Sequence, residues 1–200
     1  RSEFYLPDKK FIMGCFSRIE KILPNVFDIW MKILKKYDDA NLALCINKEI
    51  VKKNIEDYCL HTNTEFRKII FLEPLDHLEN LKRRSTFDLY LDTYPYNGHT
   101  GISDSLFQSC VPTISYTGQS FASRVSFSLL NSLDLDQLVT YNEQDYFDKI
   151  EYFYKNRDEL NSIRNYLIKF KKKNINRMKK FTTDFEKIIK STLLKHKKVN

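Results

Sequence analysis

The chain has 200 residues, of which 42% are hydrophobic and 30% are charged, which is the composition of a globular protein with its own core. No apolar run is long enough to cross a bilayer and no signal peptide is visible, so a membrane protein is not expected. The four cysteines form neither a CxxC pair nor a metal-ligand pattern, which predicts reduced thiols in an intracellular protein, with a cytoplasmic location expected or, in a eukaryote, a nuclear one.

Strands alternate with helices along the chain. Hydrophobic periodicity predicts, in order, a strand at 11–16, a helix at 24–36, a strand at 42–46, a helix at 49–59, a strand at 68–71 and a helix at 76–84. The pattern continues with a strand at 89–91, a helix from 100, a strand at 113–116, a helix at 123–133, a strand at 138–140, and helices from 143, 157 and 183. This order predicts a doubly wound, mostly parallel Rossmann-like α/β sheet with a helical C-terminal extension.

The positive charge lies at the C-terminus. The formal net charge is +7, yet residues 169–200 alone carry 12 Lys/Arg against 2 Asp/Glu, a balance of +10. We therefore divide the chain into an α/β domain at 1–155 and basic C-terminal helices at 156–200, which pack on that domain or on another lobe. A basic tail can touch nucleic acid or an anionic membrane. A solvated helix face explains it better, so neither a nucleic-acid nor a membrane partner is expected.

The candidate site follows the fourth predicted strand. In parallel sheets, ligands bind where the carboxyl end of a strand leads into a helix, and here that segment contains Gly98, His99 and Thr100, with Asp104 one turn later. Gly98 permits a tight backbone, and Thr100 is a suitable N-cap. Free N–H groups and the helix dipole favour a phosphate there, His99 can donate to it, and Asp104 can accept from a ribose hydroxyl. The alternative is an ordinary capped helix with a surface histidine.

A longer pattern contains this segment. Residues 88–100 read DLYLDTYPYNGHT, residues 118–125 read GQSFASRV, and residues 16–24 read FSRIEKILP. Together these motifs resemble the protein O-linked N-acetylglucosamine transferases, and nearly the whole chain matches the second lobe of such enzymes. The resemblance implies a GT-B type glycosyltransferase that moves N-acetylglucosamine from UDP-N-acetylglucosamine to Ser or Thr of proteins, with inversion and without a metal or other cofactor.

The resemblance also implies roles for particular residues. Lys21 is the catalytic position, because it matches a lysine that neutralises the leaving diphosphate. The implied substrate-binding positions are Arg18, Leu75, Asp76, His77, Asn80, Leu81, Lys82, Arg83, His99, Thr100, Gly101 and Asp104. Within this set, His99, Thr100 and Gly101 hold the diphosphate, Asp104 meets the ribose, and the segments 75–77 and 80–83 frame the uracil and ribose.

Three positions depart from the family pattern. Asn80 replaces the histidine that stacks on uracil, Gly101 replaces a second threonine, and Arg18 replaces a glutamine. His77, one helical turn before Asn80, either takes over the stacking or is a polar surface side chain. Asp134 and Asp136 form a DxD pattern that holds a metal in other sugar transferases, but we interpret it as turn and cap chemistry because the resemblance implies a metal-free mechanism.

The family enzymes have parts that this chain lacks. The first lobe, the general base and the tetratricopeptide repeats that grip acceptor proteins would all lie upstream of Arg1. Because a GT-B site lies between two lobes, we expect the chain to bind UDP but not to glycosylate proteins alone. The alternative from another class is a catalytically dead nucleotide-binding or scaffolding module, with Asn80 and Gly101 as its support. The retention of Lys21 and His99 favours the transferase.

Overall fold

The computed structural model describes residues 1–173 and 177–197. Its strands form a six-stranded sheet in the order β3-β2-β1-β4-β5-β6. They are β1 Phe11–Cys15, β2 Ala40–Cys45, β3 Ile69–Leu72, β4 Leu89–Leu91, β5 Thr113–Tyr116 and β6 Val139–Thr140. All five pairings between the described strands are parallel, which confirms the doubly wound sheet and makes it parallel throughout rather than mostly so.

The helices follow the predicted order with shifted ends. They are α1 Pro24–Lys36, α2 Glu49–Thr62, α3 His77–Ser85, α4 Thr100–Ser103, α5 Val125–Asn131, α6 Glu143–Lys155, α7 Arg157–Lys173 and α8 Arg177–Lys197. Beyond α4 the chain continues in wider π turns over Asp104–Gln108. The predicted helix at 123–133 is a 3-10 turn followed by the shorter α5. The last helix begins at Arg177, so its predicted start at residue 183 is wrong.

The central strands are covered on both faces. Every residue of β1 is buried, as is typical of a middle strand in a doubly wound sheet. Trp30 of α1 is fully buried, and its indole N–H donates to the Tyr146 hydroxyl of α6 at 3.3 Å. That hydroxyl in turn donates to the Asp92 carbonyl at 2.8 Å. The packed helices α1 and α6 are therefore tied to the end of β4, where the candidate site begins.

The chain divides into two compact units, Arg1–Leu167 and Ile168–Asn200. Leu160, Ile163 and Leu167 of α7 are buried in the first unit, so this unit extends past the boundary expected at residue 155. In the second unit, α8 exposes several large apolar side chains, namely Phe181, Phe185, Ile188, Ile189, Leu193 and Leu194. Among the described helices, none has the length and apolarity that crossing a bilayer requires.

Candidate functional site

The site lies at the point where the strand order reverses. β1 pairs with both β2 and β4, so the carboxyl ends of β1 and β4 leave the centre of the sheet side by side. The loops that follow them meet there, because the Thr93 hydroxyl donates to the Ser17 hydroxyl at 3.3 Å. This reversal point is where doubly wound sheets bind ligands.

Asp92 organises the loop after β4. One of its carboxylate oxygens accepts from the N–H of Thr93 at 2.8 Å and from the N–H of Gly98 at 2.7 Å. The other oxygen accepts from the Ser115 hydroxyl at 2.9 Å. The side chain is fully buried, and this burial raises the pKa of Asp92 to about 6, although the donors around it act in the opposite direction. The carboxylate closes the loop from 93 to 98 onto the end of the strand.

Asn97 joins this loop to the segment after β5. Its side-chain amide donates to the Thr93 carbonyl at 2.9 Å and to the Tyr116 carbonyl at 3.3 Å, and its backbone N–H donates to the Ala122 carbonyl at 2.9 Å. Asn97 is completely buried. Its own carbonyl accepts from the Lys21 ammonium, so the same residue also places the predicted catalytic lysine.

The helix after this loop begins at Thr100, the residue that was predicted to cap it. Thr100 is the first helical residue of α4, and His99 occupies the N-cap position without a side-chain cap bond, so the prediction that Thr100 is the N-cap is wrong. His99 has φ 43°, in the left-handed region that glycine adopts most readily. Gly98 has no positive φ; a Cβ there would lie 3.0 Å from Ile102 and 3.3 Å from the Ser17 hydroxyl, so close packing explains this glycine.

Two N–H groups at this turn are free to meet an anion. In the described part of the chain, the N–H groups of His99 and Thr100 have no hydrogen-bond partner. The N–H of Gly101 already donates to the Gly98 carbonyl at 2.9 Å, and that of Ile102 donates to the His99 carbonyl at 3.0 Å. Of the three predicted diphosphate positions, His99 and Thr100 therefore have N–H groups available for a ligand, whereas the N–H of Gly101 is already used.

Lys21 lies beside this turn. Its ammonium donates to the Asn97 carbonyl at 2.9 Å and lies 3.7 Å from the centroid of the Tyr96 ring. Burial lowers the pKa of Lys21, and the nearby Asp92 acts in the opposite direction. Arg18, which comes just before the short 3-10 turn that contains Lys21, is exposed.

The His99 imidazole is held by aromatic rings. It stacks on Tyr96 at a centroid distance of 4.9 Å and meets the Phe121 ring edge-on at 6.2 Å. Its Nε2 lies 3.3 Å from the Ala122 carbonyl. Lys21 and His99, both predicted site residues, therefore contact the same ring, that of Tyr96.

The segment before β4 uses several of its polar groups internally. Asp76 caps α3 as predicted, accepting from the Glu79 N–H at 3.1 Å. Asn80 donates to the Leu75 carbonyl at 2.6 Å and accepts from Arg83 at 2.7 Å. Arg83 is buried, and it also donates to the Glu73 carbonyl at 2.8 Å.

The remaining predicted positions of this segment are more open. Leu75, His77 and Lys82 are exposed, Leu81 is half-buried, and Lys82 forms an ion pair with Glu79 at 2.5 Å. A base-binding surface at this segment would therefore be formed by the exposed side chains rather than by the guanidinium of Arg83.

Sequence reasoning missed Arg84. Its guanidinium donates to the Gly101 carbonyl at 2.8 Å and lies 3.9 Å from the carboxylate of Asp104, the predicted ribose acceptor. A basic residue in the last turn of a helix ordinarily complements the helix dipole. The sequence therefore does not distinguish such a residue from one that contacts the candidate site.

A pocket of about 590 Å³ lies beside the turn but does not contain the predicted residues. It is lined by Tyr94, Pro95, Thr117, Gly118, Gln119, Ser120, Ser123, Arg124, Phe127 and Tyr141. Phe127 belongs to α5, and the other lining residues come from the segments after β4, β5 and β6, so the pocket opens at the same edge of the sheet as His99. The Pro95 wall belongs to the loop that Asp92 and Asn97 hold in place.

The DxD pattern has the turn role expected for it. Asp134 has φ 54° in the turn after α5, and Asp136 begins a 3-10 turn and accepts from Asn131 at 2.9 Å. Over residues 1–173 and 177–197, no group of His, Cys, Asp and Glu side chains could hold a metal ion.

A doubly wound sheet with free N–H groups and a lysine at its reversal point is an arrangement typical of nucleotide-binding lobes of the α/β class. More particularly, the chain belongs to glycosyl transferase family 41, whose model matches residues 1–185. This confirms the family expected from the motifs.

Individual relatives agree with this assignment. The chain is 31% identical over 146 residues to the UDP-N-acetylglucosamine--peptide N-acetylglucosaminyltransferase of Caenorhabditis elegans, covering 73% of this chain and 13% of that protein. Its structure matches a mutant O-GlcNAc transferase of Thermobaculum terrenum with a TM-score of 0.84 and 25% identity over 91% of this chain and 36% of that one. The pneumococcal O-GlcNAc transferase GtfA, with a TM-score of 0.58 and 14% identity, shares the fold over 90% of this chain and 36% of its own. The chain thus spans a small part of its relatives.

Proposed function

We propose that this chain forms the UDP-sugar-binding lobe of a protein O-GlcNAc transferase, which moves N-acetylglucosamine from UDP-N-acetylglucosamine to Ser or Thr of proteins. The observation that carries this proposal is the pair of unpartnered N–H groups at His99 and Thr100, close to Lys21. Backbone N–H groups beside a cation form a site for a phosphate. The name of the Caenorhabditis elegans relative supports the choice of sugar and acceptor.

The chemistry requires compensation of charge. When a hydroxyl of the acceptor attacks the sugar, the bond to the diphosphate breaks and negative charge develops on UDP. Lys21 would neutralise this charge. The N–H groups of His99 and Thr100 and the His99 imidazole would bind the same diphosphate, and their dipoles would already be oriented before the reaction. Asp104 would accept from the ribose, and Leu75 and His77 would form the exposed surface near the base.

Transfer would need more than this lobe. In this proposal the general base and the grip on the acceptor protein belong to a first lobe and to tetratricopeptide repeats, so the isolated chain binds donor without transferring sugar. A cytoplasmic location is part of the proposal and is supported by the free thiols of Cys15, Cys45, Cys59 and Cys110.

The proposal is tested by nucleotide binding. We expect UDP at a hundred times its Kd to raise the melting temperature of the chain by roughly 5–10 °C, because such an excess stabilises the folded state by about 2.7 kcal/mol. GDP should have a much smaller effect. His99→Ala should weaken UDP binding roughly tenfold to a hundredfold, the typical loss of a donor to a charged group.

His61→Ala is the matched control, since His61 is an exposed histidine on α2 and its loss should leave UDP binding unchanged. Equal shifts with UDP and GDP, or full UDP affinity in His99→Ala, would overturn the proposed site. In the full-length protein, Lys21→Met should lower sugar transfer by at least about a hundredfold. Retained UDP binding with no transfer in the wild-type full-length protein would instead favour the catalytically dead module.

A further inference from the structure

Arg84 is a buried cation at the end of α3. The residue is 7% exposed, and its guanidinium lies 5.3 Å from the ring centroids of both Phe16 and Tyr90. Its Nε has no hydrogen-bond partner among the described residues. Arginine is seldom buried to this degree without a close partner of opposite charge, because removing the charge from water is costly.

The compensation that Arg84 receives within the chain is incomplete. Its terminal nitrogen donates to the Gly101 carbonyl at 2.8 Å and to the Ser105 hydroxyl at 3.4 Å, and both acceptors are neutral. In the described residues, Asp104 is the one carboxylate within 4.0 Å, at 3.9 Å, which is longer than a hydrogen bond. Among the described residues, the Arg84 charge is therefore paired only with this distant carboxylate, and it lies against the Gly101 carbonyl of α4.

The position of this charge matters for the candidate site. Gly101, whose carbonyl Arg84 holds, directly follows the residues whose N–H groups are free, His99 and Thr100. Lys21 contacts the same loop through the Asn97 carbonyl. The Arg84 guanidinium is therefore hydrogen-bonded to the turn whose N–H groups are free, and the Lys21 ammonium is hydrogen-bonded to the loop before that turn.

We propose that Arg84 is a positioning residue for a nucleoside diphosphate: it fixes the first turn of α4 through the Gly101 carbonyl and adds its positive field to the anion site. This inference rests on the proposed function, because it takes the ligand to be a diphosphate. A Cβ at Gly101 would lie 4.0 Å from the Tyr90 hydroxyl, so the turn has no steric need of a glycine there.

The test compares ligands that differ only in phosphate number. Binding of uridine, UMP and UDP to the full chain is measured by calorimetry for wild type, Arg84→Met and Arg84→Lys. Arg84→Met should weaken UDP about tenfold, because a unit charge roughly 12 Å away at an effective dielectric of about 20 is worth about one tenfold step. The loss should be smaller for UMP and less than about twofold for uridine. Arg84→Lys should recover part of the UDP affinity, since it keeps the charge but not the planar fork.

A second variant keeps the proposal testable if Arg84→Met does not fold. Asp104→Asn removes the carboxylate nearest to Arg84, so it should raise the ratio of UDP affinity to uridine affinity, whereas Arg84→Met should lower it. The ratio cancels any loss of ribose binding that is common to both ligands. Arg67→Met is the matched control. Arg67 is an exposed arginine that precedes the amino end of β3, whereas the candidate site lies at the carboxyl edge of the sheet.

The outcomes separate this inference from the proposed function. If wild type binds UDP but Arg84→Met weakens uridine and UDP equally, Arg84 is merely structural and the inference is overturned while the UDP site stands. An unchanged or lower UDP-to-uridine ratio in Asp104→Asn would also overturn it. If wild type binds neither UDP nor UMP, the proposed function and this inference fail together.

Discussion

Replacement of Asp92 by Asn removes a buried charge and keeps nearly the same side-chain shape. The carboxylate accepts from the N–H groups of Thr93 and Gly98 through one oxygen and from the Ser115 hydroxyl through the other. In Asp92→Asn, the amide oxygen can keep both backbone bonds, and the amide nitrogen can donate to the Ser115 oxygen. The loop geometry can therefore persist after the charge is gone.

The size and sign of the effect follow from the pKa. Burial raises the pKa of Asp92 from 3.8 to about 6, which corresponds to about 3 kcal/mol of unfolding free energy. Because the folded-state pKa is the higher one, the stability that the protonated group contributes is present in full below about pH 4. It is lost as the pH rises through about 6. The thiol of Cys15, whose pKa burial raises to about 12, stays neutral throughout this window, as does the buried phenol of Tyr146.

The assay is urea unfolding of wild type and Asp92→Asn at several pH values from 4 to 7.5. The measured quantity is the difference in unfolding free energy between the two proteins, in which other titrating groups such as Glu151 cancel. We expect this difference to move by about 3 kcal/mol in favour of Asp92→Asn across the range. If the difference in unfolding free energy stays constant within about 0.5 kcal/mol across the pH range, the reasoning is refuted. The N–H groups of Thr93 and Gly98 and the Ser115 hydroxyl would then offset the cost of burying the carboxylate. A change in favour of wild type would mean that they exceed it.

Two further predictions concern packing behind the site. Arg164→Met should lower the unfolding free energy by about 2–3 kcal/mol in urea denaturation, because its guanidinium donates to four backbone carbonyls. These are the carbonyls of Phe87, of Ser85 at 3.0 Å, and of Asp88 and Cys110 at 3.4 Å each. A loss below about 0.5 kcal/mol would contradict this role. Gly14→Ala should destabilise by at least about 1–3 kcal/mol, because its Cβ would lie 2.1 Å from the buried Phe87 ring. The double variant Gly14→Ala/Phe87→Leu should then unfold at a higher urea concentration than Gly14→Ala. If it does not, the clash with the Phe87 ring is not the cause of the destabilisation.

Local patterns predicted most of the architecture. The order of strands and helices follows from side-chain periodicity, which each segment carries by itself, so six strands and their intervening helices were placed within a few residues. Capping chemistry is equally local, and Asp76 caps α3 as predicted. The motif at 88–100 led to the family, and the family model confirms it. The ends of α5 and α8 were misplaced, because helix termini depend on tertiary contacts as well as on propensity.

The amino-acid sequence alone determined that a parallel sheet would bring the segment around His99 to its carboxyl edge. Only the tertiary structure decided which groups remain available there. His99 takes the N-cap position, the Gly101 N–H is already bonded to Gly98, and the buried Arg83 is held by Glu73 and Asn80. The physical reason is that hydrogen bonding and burial pair residues far apart in the chain, as Arg84 and Gly101 are, and no local pattern records such a pairing.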